Sequence, residues 1–245
     1  MPSFDLVAHR GYPRRFPDNS LTGIRAALAA GARHLEIDVQ LSASGTAWLF
    51  HDASLERVAG CSGSLVELSD DEIGALRASE QARLGEAFAD EPVASLKAVV
   101  AELARRPEVF TFVEIKPVAL ERHGVQTVVE AVAGEIQGLT GRVAVISFSL
   151  ECLRAVRRHT THPIGSILTT YDQHASLEHV ALSPEYVFCD VERLPATGPI
   201  DVGARLAVYE VVDPELAASL GERGAEFVET FAYPEMHDAL EQLGA

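Results

Sequence analysis

The feature that most constrains the fold is the repeated alternation of short apolar runs with amphipathic helical stretches along most of the chain. Near-continuous apolar strands separated by helices are typical of parallel βα units, whose sheets are covered on both faces. The pattern predicts an α/β fold, with one strand more than an eight-stranded barrel needs. The predicted strands are Asp5–Ala8, Leu35–Val39, Ala47–Phe50, Val109–Ile115, Val143–Phe148, Ile164–Leu168, Tyr186–Cys189, Leu206–Val211 and Phe227–Glu229.

Two neighbouring strands are too close in sequence to be parallel. The gap Leu41–Gly45 between Leu35–Val39 and Ala47–Phe50 is too short for a parallel crossover, so we expect an antiparallel hairpin. One strand of that pair then lies outside the barrel wall, and the sequence leaves open which one.

One segment interrupts the alternation. Residues 53–92 contain turns and one or two predicted short helices but no clear strand, which indicates a small cap over the barrel mouth. No linker, internal repeat or low-complexity tract separates this segment from the rest. We therefore expect residues 1–245 to form a single domain.

Composition limits the partners. The 245 residues carry 20 basic and 36 acidic side chains, a formal charge of −16, which is a poor match for nucleic acids or anionic membranes. A small anionic substrate remains compatible if a local positive centre offsets the field. The first strand begins by about Phe4, no run approaches a membrane span, and the three cysteines show no CxxC spacing. These features favour a cytoplasmic protein with reduced thiols and no stable membrane association, and they leave the oligomeric state open.

Two predicted strands carry acidic residues on one face. Glu36 and Asp38 are two residues apart, so both point inward while their apolar neighbours face the helices. An edge strand with a wet face would explain the same alternation. If the strand is internal, two adjacent carboxylates repel each other unless a cation neutralises them. Glu114 and Lys116 repeat the pattern. They form an internal ion pair, or else Glu114 is a third oxygen ligand for a hard divalent ion and Lys116 binds an anionic oxygen beside that ion.

Two histidines follow strands that should end at the same side of the barrel. His9 and His51 each come directly after an apolar run, in VAHRG and LFHD. Imidazoles have pKa values near neutrality and suit general acid–base catalysis beside a metal. Six other histidines fall on predicted helices or loops, and we expect them to be structural: His123, His159, His162, His174, His179 and His237.

The order and spacing of five motifs resemble those of the glycerophosphodiester phosphodiesterase family. The family pattern is HRG, PENT, ExDVxxTxDG, a strand ending in HD, and ExK, and weaker matches continue in this chain at ISFS (146–149) and VVDPE (211–215). The corresponding segments here are HRG (9–11), PDNS (17–20), EIDVQLSASG (36–45), FHD (50–52) and EIK (114–116).

The resemblance implies a distorted TIM (β/α)8 barrel with a small insertion after the HD motif. It also implies hydrolysis of glycerophosphodiesters, small-molecule substrates, to sn-glycerol 3-phosphate and an alcohol, with one divalent ion, Mg²⁺ or Ca²⁺. The residues carried over by motif are His9 and His51 as acid–base pair, Glu36, Asp38 and Glu114 as metal ligands, and Arg10 and Lys116 as phosphate contacts.

The chain departs from the family pattern at several places. Asp18 replaces the usual Glu, and Tyr209, Val212 and Phe231 stand where Trp, Asn and Asp are common. We expect none of these residues to touch the proposed metal or histidines, and so expect them to alter the alcohol pocket rather than the reaction.

Two extra acidic residues, Glu210 and Glu229, lie near strand ends. We expect each to be solvated or paired, with lining of the barrel mouth as the alternative.

Three other functions are compatible with these residues. The first is a phosphodiesterase of phospholipase D or C type acting on lysophospholipids. The second is a non-catalytic barrel that binds phosphate or metal. The third is an isomerase or aldolase that uses Lys116 as a Schiff-base amine.

Overall fold

The strands of the protein lie where the apolar runs predict them. A computed structural model of the chain describes residues 4–244. Its strands are β1 (Asp5–His9), β2 (His34–Leu41), β3 (Ala47–Leu49), β4 (Phe110–Ile115), β5 (Val143–Ser147), β6 (Ile164–Ile167), β7 (Tyr186–Asp190), β8 (Arg205–Tyr209) and β9 (Ala225–Thr230).

Eight of these strands form a closed parallel barrel. The order is β1-β2-β4-β5-β6-β7-β8-β9, and β1 pairs with both β2 and β9. β3 pairs antiparallel with β2, with Val39 opposite Leu49. The predicted TIM barrel and the hairpin are therefore confirmed, and β3 is the strand outside the wall.

Helices cover the outside of the barrel because each strand turns one apolar face outward. Leu35, Ile37 and Val39 of β2 are fully buried in one cluster with residues of the surrounding helices. Ser20 caps the first helix by accepting a hydrogen bond from the Gly23 N–H. The helices are α1 (Leu21–Ala29), α2 (Glu56–Ala59), α3 (Asp70–Ala75), α4 (Gln81–Leu84), α5 (Leu96–Leu103), α6 (Pro117–His123), α7 (Val125–Ile136), α8 (Leu150–His159), α9 (Leu177–Leu182), α10 (Pro214–Glu222) and α11 (Tyr233–Leu243).

The interior of the barrel is filled by aromatic side chains. Phe112, Phe188 and Phe227 are at most 1% exposed and meet edge to face, with Phe112 centroids 5.0 Å from Phe188 and 5.4 Å from Phe227. Such a layer makes the barrel a packed core rather than a pore. Polar inward-facing residues are consequently supported from below by a rigid apolar floor.

The segment between β3 and α5 forms the small insertion implied by the resemblance, which we call the cap. It contains α2, α3, α4 and two 3-10 turns, which is more helix than predicted, around its own apolar cluster that includes Leu55, Leu65 and Ile73. Arg83 of this cap bonds the carbonyl oxygens of Pro13 and Phe16 in the β1–α1 loop. The cap is thereby attached to the loop that follows His9. Among residues 4–244, no helix is both long and apolar enough to cross a membrane.

Candidate active site

The seven predicted site residues come together at the carboxyl ends of the barrel strands. His9 is the last residue of β1, Lys116 follows β4 directly, and His51 lies two residues beyond β3. Six of the seven line one cavity, and the seventh, Asp38, lies fully buried behind it. Because β2 is hydrogen-bonded to β1 and β4, the edge-strand explanation for its acidic face is wrong.

Three carboxylates form a compact buried group. Glu36, Asp38 and Glu114 each offer an oxygen, and these oxygens lie within 4.8 Å of one another. Neither carboxylate oxygen of Glu36 has a hydrogen-bond partner within residues 4–244. Burial, then the neighbouring Asp38 carboxylate, raises the pKa of Glu36 well above its ordinary value and that of Glu114 to about 7. Carboxylate oxygens at this spacing, with those of Glu36 lacking any protein donor within residues 4–244, are suited to holding a hard divalent ion.

Asp38 is held in its ionised form. Burial opposes its ionisation, but Arg10 and Lys116 outweigh that effect and keep the pKa of Asp38 far below its ordinary value. Arg10 Nε lies 3.0 Å from Oδ2, and Lys116 Nζ lies 3.2 Å from Oδ1. Asn19 adds a clamp, because its Nδ2 donates to Oδ2 at 2.8 Å and its Oδ1 accepts from the Asp38 N–H at 3.1 Å.

Lys116 is a charged group in this site. Its Nζ lies 2.7 Å from Glu114 Oε1, so the internal ion pair expected as one explanation is present. Burial alone would lower the pKa of Lys116, but Asp38 and Glu114 raise it above the ordinary value. A Schiff-base lysine needs a lowered pKa, so this environment disfavours that chemistry.

His51 is oriented by a neighbouring carboxylate. Its Nδ1 lies 2.7 Å from Asp52 Oδ1, and Arg57 binds both oxygens of Asp52 at 2.7 and 2.9 Å. With Nδ1 directed at Asp52, Nε2 is the nitrogen left for a substrate. Burial lowers the pKa of His51, against the opposing effect of Asp38.

His9 is more deeply buried and contacts groups from several strands. Its ring stacks on Phe231, with 4.8 Å between the centroids and 9° between the planes. Nε2 lies 3.5 Å from Glu36 Oε2, and Nδ1 lies 3.7 Å from Glu210 Oε1. Burial, then Arg10, lowers the pKa of His9 well below its ordinary value. The expectation that the departures from the family pattern avoid the histidines is therefore wrong for Phe231.

The glycine of the HRG motif is required by helix packing. Gly11 has φ +88, and a Cβ there would lie 2.8 Å from the backbone N of Ile24 at the start of α1. Any side chain would clash with backbone atoms, so Gly11 allows α1 to approach the end of β1.

Several residues of the site were not identified from the sequence. No role in the site was predicted for Asn19, and its positive φ of 57 is visible only in the structure. Arg57 lies in α2 of the cap, and no site residue was predicted in that segment. Glu229 is 2% exposed and lines the cavity, so the expectation of a solvated or paired carboxylate is wrong for it. Glu210 is partly exposed and lies 3.8 Å from the Arg10 guanidinium, which agrees with pairing.

Two cavities meet at the site. The inner cavity, of about 70 Å³, contains His9, Glu36 and Glu229. The outer cavity, of about 390 Å³, opens beneath the cap and is lined largely by charged groups. The residues common to both are Arg10, His51 and Glu210.

Comparison with known proteins agrees with this architecture. The model of the glycerophosphoryl diester phosphodiesterase family matches residues 9–196. Glycerophosphodiester phosphodiesterase 1 of Mus musculus is 34% identical over 99 residues, 40% of this chain and 30% of that protein. The glycerophosphodiester phosphodiesterase of Caldanaerobacter subterraneus is 29% identical over 157 residues, 64% of this chain and 63% of its own. These alignments thus span less than two thirds of either relative.

Solved structures extend the likeness to the whole barrel. An Oleispira antarctica phosphodiesterase superposes with a TM-score of 0.83 at 19% identity, covering 97% of this chain and 96% of the other. A Parabacteroides distasonis glycerophosphodiester phosphodiesterase gives 0.78 at 18% identity over all of both chains. At these identities the superpositions establish the fold, whereas the sequence model identifies the family. Since that model covers more than half of the sequence, this chain belongs to the glycerophosphoryl diester phosphodiesterase family.

Proposed function

We propose that the protein hydrolyses glycerophosphodiesters to sn-glycerol 3-phosphate and an alcohol, using one divalent ion, Mg²⁺ or Ca²⁺. The observation that carries this proposal is the convergence of three buried carboxylates, two cationic groups and two imidazoles at one barrel end. The Oleispira antarctica phosphodiesterase, which shares the fold, binds the product sn-glycerol-3-phosphate. That complex supports a glycerol phosphate ligand for the corresponding barrel end here.

The charged groups would bind the phosphodiester. Arg10 and Lys116 are held at the cavity by Asp38 and contact the substrate's anionic oxygens. Glu36, Asp38 and Glu114 would hold the ion, which when bound neutralises charge on the phosphoryl group. A phosphodiester anion otherwise repels an incoming nucleophile, and fixed positive groups at the site remove that barrier without reorganisation.

The two cavities suggest how the substrate is oriented. The inner cavity has the size of a small polyol, whereas the outer one is larger and open to varied alcohols. The phosphate would lie between them at Arg10 and His51. His9 lines the inner cavity and is absent from the outer lining, so His9 is assigned to the glycerol side and His51 to the departing alcohol.

In the proposed first step, His9 takes the proton of the glycerol hydroxyl adjacent to the phosphate. That oxygen attacks phosphorus, the bond to the alcohol oxygen breaks, and His51 gives its proton to the departing alcohol. Intramolecular attack has a large effective-concentration advantage over water. In the second step His51 takes a proton from water, the hydroxide opens the cyclic glycerol phosphate, and His9 returns its proton to the glycerol oxygen.

The lowered pKa of His9 fits its role as the base of the first step. Burial lowers the pKa of His9, so its ring is neutral near pH 7 and can accept a proton. His51 donates from Nδ1 to Asp52, and this hydrogen bond opposes the lowering of the His51 pKa by burial, which favours the proton-donating form.

The remaining alternatives fit the structure less well. A lysophospholipid acyl chain would need an apolar outer cavity, but Asp18, Asp52, Arg57 and Arg83 line the one beneath the cap. A merely phosphate-binding barrel has no need for an imidazole oriented by its own carboxylate. We therefore retain hydrolysis of small glycerophosphodiesters as the proposal.

The proposal is tested by measuring glycerol 3-phosphate release from glycerophosphocholine and glycerophosphoethanolamine. We expect turnover by the wild type and a loss of at least about 100-fold in His9→Ala and in His51→Ala. Full activity in either variant would remove that histidine from the mechanism. A quenched single turnover should trap the cyclic phosphate, and ¹⁸O incorporation from water without that intermediate would instead indicate direct water attack.

A further inference from the structure

Glu229 is a buried carboxylate that the proposed mechanism does not use. It lies near the end of β9, where Phe227 points into the aromatic floor and Val228 packs outward against the helices. Its side chain is therefore directed inward, it lines the inner cavity, and it is 2% exposed. Glu229 Oε1 has no hydrogen-bond partner in the described part of the chain.

A buried carboxyl group without a hydrogen-bond partner destabilises the folded protein. An unsatisfied buried polar atom lowers the stability of the folded protein, so native proteins retain such atoms mainly where a ligand, an ion or water completes them. Burial, then the nearby Glu114 carboxylate, raises the pKa of Glu229, which shows how unfavourable its charge is here. The missing partner must therefore come from what enters the cavity.

The metal is not the best partner for Glu229. The carboxylates with oxygens within 4.8 Å of one another are Glu36, Asp38 and Glu114, and Glu229 lies outside this group. Arg10, the positive group that favours its ionisation, is already bound to Asp38 at 3.0 Å. Glu229 thus needs a neutral polar partner.

The chemistry of the substrate identifies that partner. The non-bridging oxygens of a phosphodiester only accept hydrogen bonds, whereas a hydroxyl both donates and accepts. A hydroxyl can satisfy Glu229 whether or not the carboxyl carries a proton. Of the two free hydroxyls of the glycerol unit, the one next to the phosphate is assigned to His9, which leaves the terminal hydroxyl.

We propose that Glu229 binds the terminal hydroxyl of the glycerol unit and thereby selects glycerol over alcohols that lack this group. This inference rests on the proposed function, because it assumes that glycerol occupies the inner cavity. Glu229 then determines which phosphodiesters are substrates, in addition to the residues that perform the reaction.

The test compares two substrates that differ at that hydroxyl alone. One is glycerophosphocholine, and the other is the phosphocholine ester of propane-1,2-diol, which keeps the hydroxyl next to the phosphate and the same leaving group. We expect the wild type to prefer the glycerol substrate by about 10- to 100-fold in kcat/KM, as for a buried group left unpaired by the analogue. In Glu229→Met the preference should fall to within about threefold, and Glu229→Gln, which can still bond a hydroxyl, should keep most of it.

Glu226→Met is the matched control, since Glu226 lies on the same strand but is exposed and pairs with Arg205 at the other end of the barrel. It should retain the wild-type preference. If Glu229→Met does not fold, Glu229→Asp withdraws the carboxyl by one methylene and should lose the preference in the same way.

Failure of this inference is separable from failure of the proposed function. An active wild type whose preference survives in Glu229→Met overturns the role of Glu229 and leaves the hydrolase intact. If calorimetry shows that Glu229→Gln has lost Mg²⁺ or Ca²⁺ binding, Glu229 is a metal ligand and the inference is also overturned. If the wild type cleaves neither substrate, the proposed function fails. Glu229 is then tested by comparing the binding of propanediol phosphate and glycerol 3-phosphate to the wild type. We expect propanediol phosphate to bind more weakly, and equal binding would refute the role of Glu229.

Discussion

Replacing Glu36 by glutamine should abolish turnover and, in the presence of a chelator, make the protein more stable. Glu36 is 1% exposed, and neither of its carboxylate oxygens has a hydrogen-bond partner in residues 4–244. Its close neighbours include the carboxylates of Asp38 and Glu114. Without a cation in their midst, the charge of Glu36 opposes folding, and a neutral amide of the same shape removes that opposition.

The size of the effect follows from the geometry. Two unit charges 4.8 Å apart repel by about 3.5 kcal/mol at an effective dielectric constant of 20. Whether Glu36 carries that charge or keeps its proton, its burial beside the other carboxylates opposes folding, and its pKa is accordingly raised well above the ordinary value. Attraction to Arg10 offsets part of the cost. We expect Glu36→Gln to raise the free energy of unfolding by about 1–3 kcal/mol at pH 7.

The direction of the pKa shift fixes the pH dependence. Because the pKa of Glu36 is raised in the folded state, its unfavourable contribution is absent below pH 4.5 and grows as the pH rises above that value. The gain in Glu36→Gln should therefore vanish at pH 4. Mg²⁺ at about 1,000 times its Kd should reverse the order of the two proteins, since it then stabilises the wild type by about 4.1 kcal/mol.

Urea unfolding in EDTA at pH 4 and pH 7 measures these differences, with Glu226→Gln as an exposed control that should change little. Equal slopes of the free energy of unfolding against urea concentration would show that the unfolded states of the two proteins are comparable. A Glu36→Gln protein no more stable than the wild type at pH 7 would refute the reasoning, because Glu36 would then be ionised and stabilised by its neighbours.

Three further results should follow from the same contacts. Arg57→Lys should lower kcat/KM about tenfold in steady-state assays, because a lysine cannot bind both oxygens of Asp52 and hold the adjacent imidazole; unchanged kinetics would exclude this positioning role. Iodoacetamide should label Cys61 in the native protein and not Cys152, whose pKa burial raises to about 12, until urea is added; rapid native labelling of Cys152 in a peptide map would contradict its burial. Mg²⁺ should raise the melting temperature more at pH 8 than at pH 5.5, because Glu114, with its pKa raised to about 7, must lose a proton to bind the ion; an equal rise at both would argue against this carboxylate as a ligand.

The fold was predictable because its signals are local. Apolar runs located the strands, and the short gap before Ala47 required an antiparallel hairpin. Which hairpin strand enters the barrel was not predictable, because both are apolar and short. The answer depends on β2 pairing with β1 and β4, residues more than 20 positions away on either side.

The site was predictable where chemistry and periodicity coincide. Alternation along β2 assigned Glu36 and Asp38 to one inward face, and the structure confirms that orientation. Contacts across the barrel closure were not predictable. Phe231 reaches His9 only because β9 pairs with β1, and no local pattern encodes that stacking.

Glu229 illustrates a second reason why part of the site could not be predicted from the sequence. In a chain with a net charge of −16, an acidic residue near a strand end is most simply explained as solvated. Its burial results from the inward phase of β9, set by the register Val7 opposite Glu229, and the short strand carries no alternation strong enough to reveal it.

The central claim is that a divalent ion bound by buried carboxylates enables this barrel to cleave a glycerophosphodiester. It is tested most directly by glycerol 3-phosphate release from glycerophosphocholine before chelation, after chelation and after stepwise return of Mg²⁺ or Ca²⁺, with Glu36→Gln in parallel. We predict that chelation abolishes turnover, that one of the two ions restores it in the wild type, and that neither restores it in Glu36→Gln. Undiminished turnover in the chelated wild type would contradict the account.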